Sequence, residues 1–330
     1  MTDPNSVSTV LQMAGGYCLP RCLHSVAALG VADALDESPR TAADLAASVG
    51  AHPNALGRVL RLLAAHGVFE CQSDRFRHSP ASRLLRTDHP QSLRAVTQMF
   101  GLSLNWAIHG EFEYAVRTGL PAADRVFPGG FWAYFAEHPE ENSIFNAAMV
   151  AKAHGQIAGV VAAYDFSGFG LIGDIGGGRG HLLSAVLDAA PKARGVLFDL
   201  PHVVAEVAGL ASGRMTVQAG DFFEDPLPSC DGYLIMEVIH DWGDEEAIAI
   251  LKAIRRAAPS HAKLLLIEQI VPNDPGPHWA KTLDMHMLVL LGGQQRTRQE
   301  YEALLARAGF SLEREIDTGV GIAILEAAAA

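Results

Sequence analysis

The spacing of hydrophobic positions divides the chain into a mainly helical first half and a second half in which short strands alternate with helices. In the first half, apolar side chains recur every three or four residues, as at Leu56, Val59, Leu60 and Leu63, which is typical of a helix that buries one face. In the second half, alternating strands and helices predict a parallel sheet with helices on both faces. The seven predicted strands are residues 171–175, 195–200, 214–218, 232–237, 263–267, 311–316 and 321–325.

The first 95 residues have the order of elements found in a winged helix. Residues 10–35 are apolar and predicted to be largely helical, with a break at Pro20. A capping box begins a short helix at Thr41, and Pro53 suits the first turn of a second helix. The segment 68–77 then alternates as a small hairpin would. We therefore predict a mainly α-helical, winged-helix-like domain here.

The stretch 96–164 is predicted to be helical and is unusually rich in aromatic side chains. Aromatic residues at this density most often form a core, but some of them suit the wall of a pocket for a flat apolar ligand. The candidates for such a pocket are Phe131, Trp132, Phe135, Phe145 and Met149. We interpret this stretch as a helical linker that caps a substrate.

The clearest motif is LIGDIGGGRG, residues 171–180. A strand, a glycine turn and a helix form a nucleotide site, because glycines let the backbone approach a ligand. The spacing departs from the dinucleotide fingerprint, since His181 stands where its last glycine would be. With an acid ahead of the glycines, the run resembles the first motif of methyltransferases that use S-adenosylmethionine (SAM). Asp174, Gly176 and Gly178 are therefore candidates to bind SAM; a tight turn without a ligand is the alternative.

Polar side chains follow the ends of five predicted strands. They are Asp174, Asp199, Asp221, His240 and Glu268. Ligands of open α/β sheets bind beyond the carboxyl ends of the strands, so these residues are expected at one site. An acid at the end of the second strand is placed to accept both ribose hydroxyls of an adenosine. Asp221 and Phe222 offer a hydrogen-bond acceptor and an apolar face for adenine.

His240 is the candidate general base. Methyl transfer from an activated sulfonium mainly requires alignment of the reacting atoms and exclusion of water. A phenol with a pKa near 10 is mostly neutral at pH 7, so a base helps it attack, and histidine suits this task. Asp241 and Glu268 are the acids available to orient the imidazole and to stabilise its charged form.

Further motifs extend the resemblance over nearly the whole chain. They are VLFDLP, GDFFEDPLP, IHDWGDEEA, IEQIVP, LDMHMLVLLGGQQRT and EYEALLARAGF. In this order they resemble the plant-type and bacterial antibiotic small-molecule O-methyltransferases. The resemblance implies a Rossmann-like, seven-stranded class I methyltransferase domain at 165–330, preceded by a winged-helix-like dimerisation domain at 1–95. It also implies an intertwined homodimer, in which the N-terminal domain contributes to the partner's active site.

The same resemblance implies roles for single residues. It implies His240 as the catalytic base, with Asp241 and Glu268 at the acidic positions around it. The SAM contacts that it implies are Gly176, Asp199, Asp221, Phe222 and Trp242. Asp284 and Met287, in the stretch LDMHMLVLLGGQQRT, are further candidates to bind the methyl acceptor.

Two residues depart from the plant-type pattern. Met236 occupies a position that often holds a lysine near the adenine, so that contact is absent. Gln295 stands where the plant pattern has a second glutamate that supports the histidine. A glutamine stabilises an imidazolium less than a glutamate does. Either the base is weaker here, or Glu268 and Asp241 carry that role.

The leading function is O-methylation of a small aromatic or polyketide-like metabolite. Alternatives within the family are N- or C-methylation and a non-methylating, hydroxylase-like reaction, although His240 favours O-methylation. An alternative of another class is a ligand-sensing regulator that binds DNA through the winged helix. The net charge of −12 argues against this regulator and against anionic membranes, so we expect no nucleic-acid or membrane partner. A catalytically silent scaffold fits the polar strand ends least well.

The number of cysteines and the N-terminal sequence indicate the cellular compartment. Four cysteines in 330 residues are too few for a disulfide framework, and we expect buried free thiols in a reducing cytoplasm. Cys18, Cys22 and His24 form a poor zinc site because a second ligand pair is missing, so we expect no metal. The N-terminal sequence lacks the charged and apolar regions of a signal peptide. The terminal alanines are expected to be frayed.

Overall fold

A computed structural model describes residues 4–207, 209 and 213–330. The chain divides into two compact units. The N-terminal unit comprises Met1–Ala107 and Phe135–Lys152, and the sheet unit comprises Ile108–Tyr134 and Ala153–Ala330. The stretch 96–164 therefore contributes residues to both units.

The N-terminal unit begins with helices and a small sheet. Its helices up to residue 100 are α1 (Pro4–Ala14), α2 (Cys18–Leu29), α3 (Val31–Ala34), α4 (Ala42–Val49), α5 (Pro53–Ala65), α6 (Pro80–Arg83) and α7 (Arg94–Phe100). Its strands are β1 (Arg40–Thr41), β2 (Phe69–Gln72) and β3 (Arg75–His78), which pair antiparallel in the order β1-β3-β2. Two helices followed by a hairpin confirm the winged-helix-like arrangement. Its apolar core includes Leu45, Leu60 and Leu63 packed with Phe69 and Phe76.

Local hydrogen bonds explain where these helices begin. The Thr41 hydroxyl accepts a hydrogen bond from the Asp44 N–H, and the Asp44 carboxylate accepts one from the Thr41 N–H, which is the predicted capping box. The predicted break at Pro20 is wrong. Pro20 lies in the first turn of α2, where its missing N–H has no intrahelical partner to lose, and the break falls at residues 15–17 instead.

Five helices connect this region to the main sheet. They are α8 (Ser103–Gly110), α9 (Phe112–Thr118), α10 (Ala122–Val126), α11 (Gly130–Glu137) and α12 (Pro139–Ala163). The division between the two units falls within α8, α11 and α12. The prediction of helical structure for this stretch is confirmed.

The sheet unit contains a seven-stranded sheet. Its strands are β4 (Leu171–Ile175), β5 (Arg194–Asp199), β6 (Met215–Ala219), β7 (Gly232–Met236), β8 (Lys263–Glu268), β9 (Phe310–Asp317) and β10 (Ala323–Ala329). Its remaining α-helices are α13 (His181–Ala189), α14 (Pro201–Val207), α15 (Asp244–Ala257), α16 (Trp279–Leu290) and α17 (Arg298–Arg307). Single 3₁₀ turns lie at Phe166–Gly168 and Ile239–Asp241.

The strand order, β6-β5-β4-β7-β8-β10-β9, defines where a ligand binds. From β4 the chain adds β5 and β6 on one side, and later β7 and β8 on the other. The order therefore reverses between β4 and β7, and such a switch point opens a crevice at the carboxyl ends of the strands. The seven-stranded Rossmann-like class I architecture is confirmed.

The sheet is not fully parallel, which corrects the expectation from strand–helix alternation. Strand β10 runs antiparallel to both β8 and β9. The physical reason is the length of the connection: only residues 318–322 join β9 to β10, and a parallel pair needs a crossover of about a dozen residues.

Side chains of the sheet alternate between two apolar cores. On β7, Tyr233 and Ile235 pack with α15 and α17, while Leu234 between them packs on the opposite face, whose core includes residues of α13. A strand buried on both faces is nearly continuous in apolar residues, which is why these strands could be located from sequence.

Two smaller expectations are wrong. The terminal alanines are not frayed: Ala327 is fully buried and pairs with Leu264 of β8. Of the four free cysteines only Cys230 is buried, whereas Cys18 and Cys71 are exposed.

None of the helices within residues 4–207 and 213–330 is both long enough and apolar enough to cross a membrane.

Candidate active site

The glycine turn after β4 has a backbone that other residues adopt only with strain. Gly176, Gly178 and Gly180 have φ angles of +68°, +57° and +71°, in the left-handed region. Gly177 is required for a different reason, because a Cβ there would lie 2.5 Å from Cγ of Asp174. Backbone conformation therefore favours glycine at three of these positions, and lack of space requires it at Gly177.

Asp174 lies behind this turn and is almost fully buried, with 1% of its surface exposed. Burial, and then the nearby charge of Asp199, raise the pKa of Asp174 to about 7, while a hydrogen bond from the Leu183 backbone opposes the rise. Within the described residues, its Oδ2 atom is buried and lacks a hydrogen-bond partner. Asp174 thus supplies a buried acceptor beneath the glycine turn.

Asp199 ends β5 at the same edge of the sheet. One carboxylate oxygen accepts a hydrogen bond from the Gly178 N–H at 2.7 Å, and the other accepts one from the Leu200 N–H at 2.7 Å. Each oxygen can accept a further hydrogen bond. Two of the predicted cofactor residues, Gly178 and Asp199, are therefore in direct contact.

Three aromatic rings lie beside the turn. Phe222 and Trp242 have ring centroids 6.1 Å apart, and Phe223 lies 4.9 Å from each of them. A Cβ on Gly176 would lie 3.9 Å from the Phe222 ring. Asp221 joins this group by accepting a hydrogen bond from the Phe223 N–H. Sequence reasoning missed Phe223, although the double aromatic in GDFFEDPLP was a visible signal.

His240 sits in the 3₁₀ turn after β7 and is only 5% exposed. Its Nδ1 lies 2.9 Å from Oε2 of Glu268, and its Nε2 lies 3.3 Å from Oδ1 of Asp241. The angle of the Nδ1 contact falls outside hydrogen-bond geometry, so it is an ion-pair contact. Oε1 of Glu268, at the end of β8, accepts hydrogen bonds from the N–H groups of Ile239 and His240. The three predicted catalytic residues are thus brought together.

The two acids determine the charge of the imidazole. Burial on its own lowers the pKa of His240, but the negative charges of Glu268 and then Asp241 outweigh it and raise the pKa to about 10. In this arrangement His240 carries a proton at neutral pH. It becomes a base only when that proton leaves.

Arg296 is a second residue of this site that sequence reasoning missed. It is fully buried, and its guanidinium donates hydrogen bonds to the backbone oxygens of Ile239 and Trp242 at 3.3 and 2.9 Å. The same group donates to Oδ1 of Asp244 at 2.8 Å. Arg296 therefore holds the turn that carries His240. The Arg-Thr pair at the end of LDMHMLVLLGGQQRT was the signal for it.

The segment before Arg296 packs directly on the same turn. A Cβ on Gly293 would lie 2.1 Å from the carbonyl oxygen of His240, so only glycine fits there. The Gln294 N–H donates a hydrogen bond to that oxygen at 2.9 Å. Two segments that are distant in sequence thus fix the backbone of His240.

Gln295 follows, but within the described residues its side chain makes no hydrogen bond to His240. The side chain is buried, and its backbone N–H donates to Oδ1 of Asp284 at 2.8 Å. Burial raises the pKa of Asp284, and Met287 is buried on the same helix, α16. Of the two possibilities left open for this departure, the contacts favour Glu268 and Asp241 as the partners of the imidazole.

Family models match most of the chain. An O-methyltransferase domain model matches residues 109–311, and an O-methyltransferase dimerisation domain model matches residues 11–88. The chain belongs to the O-methyltransferase family. This enzyme is a SAM-dependent O-methyltransferase of the antibiotic-biosynthesis type.

Individual relatives extend along nearly the full chain. The phenazine O-methyltransferase of Lysobacter antibioticus is 41% identical, over 97% of this chain and 95% of the relative. The 8-amino-8-demethylriboflavin N,N-dimethyltransferase of Streptomyces davaonensis is 40% identical, over 88% of this chain and 86% of the relative. A methyltransferase of calicheamicin biosynthesis, solved in its S-adenosylhomocysteine-bound form, superposes with a TM-score of 0.91 at 34% identity and covers 100% of both chains.

The residues predicted to line an acceptor pocket of the methyltransferase are divided between the two units. Phe131 and Trp132 belong to the sheet unit, whereas Phe135, Phe145 and Met149 belong to the N-terminal unit. Phe135 and Phe145 are in contact, with ring centroids 4.8 Å apart, and Phe131 contacts Trp132 at 5.1 Å. Trp132 is 57% exposed. These residues remain predictions for acceptor binding.

The environment of Met236 and the arrangement of metal-ligating side chains both bear on cofactor binding. Met236 packs against an apolar cluster of the sheet, as expected where the plant-type lysine is absent. Among the residues that the structure describes, no group of three or more His, Cys, Asp or Glu side chains is arranged to hold a metal ion.

Proposed function

We propose that the methyltransferase methylates a hydroxyl group of a small aromatic or polyketide-like metabolite, with His240 as the general base. The observation that carries this proposal is the position of His240: it lies between Glu268 and Asp241, beside the strand end that faces the glycine turn. A buried histidine with two acids at the cofactor edge is suited to proton transfer.

The residues around the glycine turn fit SAM. The left-handed glycines leave backbone exposed to a ligand, Asp199 has acceptor capacity for ribose hydroxyls, and Phe222 and Trp242 offer apolar ring faces for adenine. Bound SAM supplies a methyl group that is already activated by the positive charge on its sulfur. We expect Asp221 to accept a hydrogen bond from the adenine amine, and Asp174 to hold the turn from below.

His240 must be neutral before it accepts a proton. Positive charge that enters a buried site lowers the pKa of a neighbouring imidazole, so we expect His240 to lose its proton when SAM and the acceptor are bound. The acceptor proton then moves from its hydroxyl oxygen to Nε2. Oδ1 of Asp241 lies 3.3 Å from Nε2, so this carboxylate must either move away when the acceptor hydroxyl binds or contact Nε2 together with it. Glu268, on the Nδ1 side, fixes the ring orientation throughout.

The acceptor class rests on the relatives. Their names specify a phenazine and an aminoriboflavin, which are flat polycyclic compounds. A second candidate function is N-methylation, because the aminoriboflavin relative, which is 40% identical to this chain, is named as an N,N-dimethyltransferase. An amine needs less help from a base than a phenol does, so a retained His240 with two acids favours the hydroxyl.

We also propose that the enzyme is a homodimer. The match to the O-methyltransferase dimerisation domain over residues 11–88 supports this state. As the family resemblance implies, the N-terminal domain would contribute to the partner's active site. Light scattering coupled to gel filtration should give twice the chain mass of 35.2 kDa; a monomer at working concentration would contradict the proposal.

The test is an acceptor screen with labelled SAM. Paired polycyclic acceptors that carry either a hydroxyl or an amine at the same position are compared, and acceptor-dependent release of S-adenosylhomocysteine is measured. We expect the hydroxy compounds to be preferred, and this turnover to be lost in His240→Gln. Preference for the amines, or turnover that survives this substitution, would contradict the proposal.

A further inference from the structure

Gln295 has a buried carboxamide without a hydrogen-bond partner in the part of the chain that the structure describes. The residue is 5% exposed, and both side-chain polar atoms, Nε2 and Oε1, are buried without a hydrogen-bond partner among the described residues. A carboxamide offers two donors and one acceptor, and leaving all of them unpaired in the interior is unfavourable. Such a group in a native fold needs an explanation, and a role in binding a ligand is one.

The surroundings of Gln295 belong to the active site. Its neighbours Gln294 and Arg296 both direct their side chains to Asp244, whereas the Gln295 amide makes no such contact. The backbone of the segment is fixed on the turn that carries His240, and the Gln295 N–H is bound by Asp284 of α16. The amide is thus held in place by its backbone while its own polar atoms stay unpaired.

We propose that the Gln295 carboxamide determines acceptor specificity: it binds a neutral group that carries a hydrogen-bond donor and acceptor side by side, such as a carboxamide or lactam, next to the reacting hydroxyl. This inference rests on the proposed function. The pairing is complementary, since each partner donates through N–H and accepts through C=O.

The local charge favours a neutral partner over a carboxylate. Asp284 contacts the Gln295 backbone, and Glu268 and Asp241 flank His240, so three acids lie close to this segment and to the base. The charge of Arg296 is directed to Asp244. An acceptor that carries a carboxylate at the same position would be repelled by these acids, and we expect it to bind poorly.

The test is a binding experiment with the full-length enzyme saturated with S-adenosylhomocysteine. Three probes are titrated by calorimetry: a hydroxynaphthamide, the matching naphthol without the amide, and the matching hydroxynaphthoate. We expect the wild type to bind the amide about tenfold more tightly than the naphthol, and the carboxylate most weakly. Gln295→Met, which has a similar volume, should lose the preference for the amide, and Gln299→Met on the exposed surface should keep it.

Folding is controlled in the same experiment. Because the Gln295 amide makes no hydrogen bond to any described residue, Gln295→Met should not lower the melting temperature. Equal affinity for the three probes, binding of none of them, a preference that survives in Gln295→Met, or a loss of folding in that variant would overturn the inference. A wild type that binds the amide selectively but does not methylate it would preserve this inference and contradict the proposed function instead.

Discussion

Glu268 contacts His240 at two points: its Oε1 accepts a hydrogen bond from the His240 N–H at 3.2 Å, and its Oε2 lies 2.9 Å from the imidazole Nδ1. The acid ends β8 and the histidine follows β7, two adjacent parallel strands. A single buried carboxylate therefore fixes both the backbone and the ring of the candidate base. The orientation of the imidazole is thus set by the sheet itself.

Replacing Glu268 with glutamine tests its electrostatic role. Glu268→Gln keeps an oxygen for the backbone N–H groups but removes the charge that raises the pKa of His240. The alkaline rise of kcat/KM, which reports deprotonation of the base, should therefore move to lower pH by about one unit or more. Glu302→Gln on the exposed face of α17 is the control. A pH profile that does not move would show that Glu268 does not set the pKa.

The same raised pKa has a consequence for stability. The pKa of His240 in the folded protein, about 10, lies above its ordinary value of 6.5, so the imidazolium stabilises the fold. This contribution is complete below pH 6.5 and is lost as the pH rises through about 10. Denaturant unfolding should therefore show His240→Gln to be less stable than the wild type at pH 6, with a smaller difference near pH 10. A difference that is the same at both pH values would contradict the assignment.

Replacing Asp174 should stabilise the protein at high pH, whereas replacing His240 should destabilise it at low pH. Burial raises its pKa to about 7, above the ordinary 3.8, so the folded protein keeps a proton that the unfolded chain loses, and stability falls as the pH rises from about 3.8 to about 7, where the buried carboxyl becomes charged. Asp174→Asn removes that charge, and its melting temperature relative to the wild type should be higher at pH 8 than at pH 5. The exposed Asp188→Asn should show no such trend. Parallel curves for Asp174→Asn and the wild type would argue that this carboxyl is not the titrating group.

Arg296 is expected to tolerate no other cation. Lysine cannot reproduce the planar set of donors that reaches the oxygens of Ile239, Trp242 and Asp244. Arg296→Lys should lower the free energy of unfolding by about 1–3 kcal/mol, because buried acceptors lose their donors, and should also reduce kcat. The exposed Arg298→Lys should stay within about 0.5 kcal/mol of the wild type. Full activity in Arg296→Lys would remove Arg296 from the positioning of the base.

The sheet and its polar edge could be predicted because short stretches of sequence determine the strands and the turns that follow them. A strand buried on both faces is apolar, and a left-handed turn favours glycine. The motif LIGDIGGGRG therefore predicts both the strand β4 and the turn that follows it. His240 and Glu268 could be placed together because parallel strands end at one edge. A strand at 321–325 was predicted, but its antiparallel direction and its continuation through the terminal alanines were missed, because alanines have no periodic pattern and only pairing with β8 makes them part of β10.

Arg296 and the surroundings of Gln295 could not be predicted in the same way. Two partners of Arg296 are backbone carbonyls more than fifty residues earlier in the chain, and backbone oxygens leave no mark in a sequence. Likewise, the sequence gives Gln295 as a departure from the family pattern, but only burial shows that its amide is unpaired. Contacts between distant segments, rather than residue types, define these two roles.

His240 is the proposed proton acceptor, at a site that we expect to bind SAM independently of it. His240→Gln should bind SAM with the wild-type affinity in calorimetry, while methyl transfer to a hydroxy acceptor in a single turnover falls by about a hundredfold or more. Transfer at near the wild-type rate would contradict the account, and so would a SAM affinity that falls together with the rate.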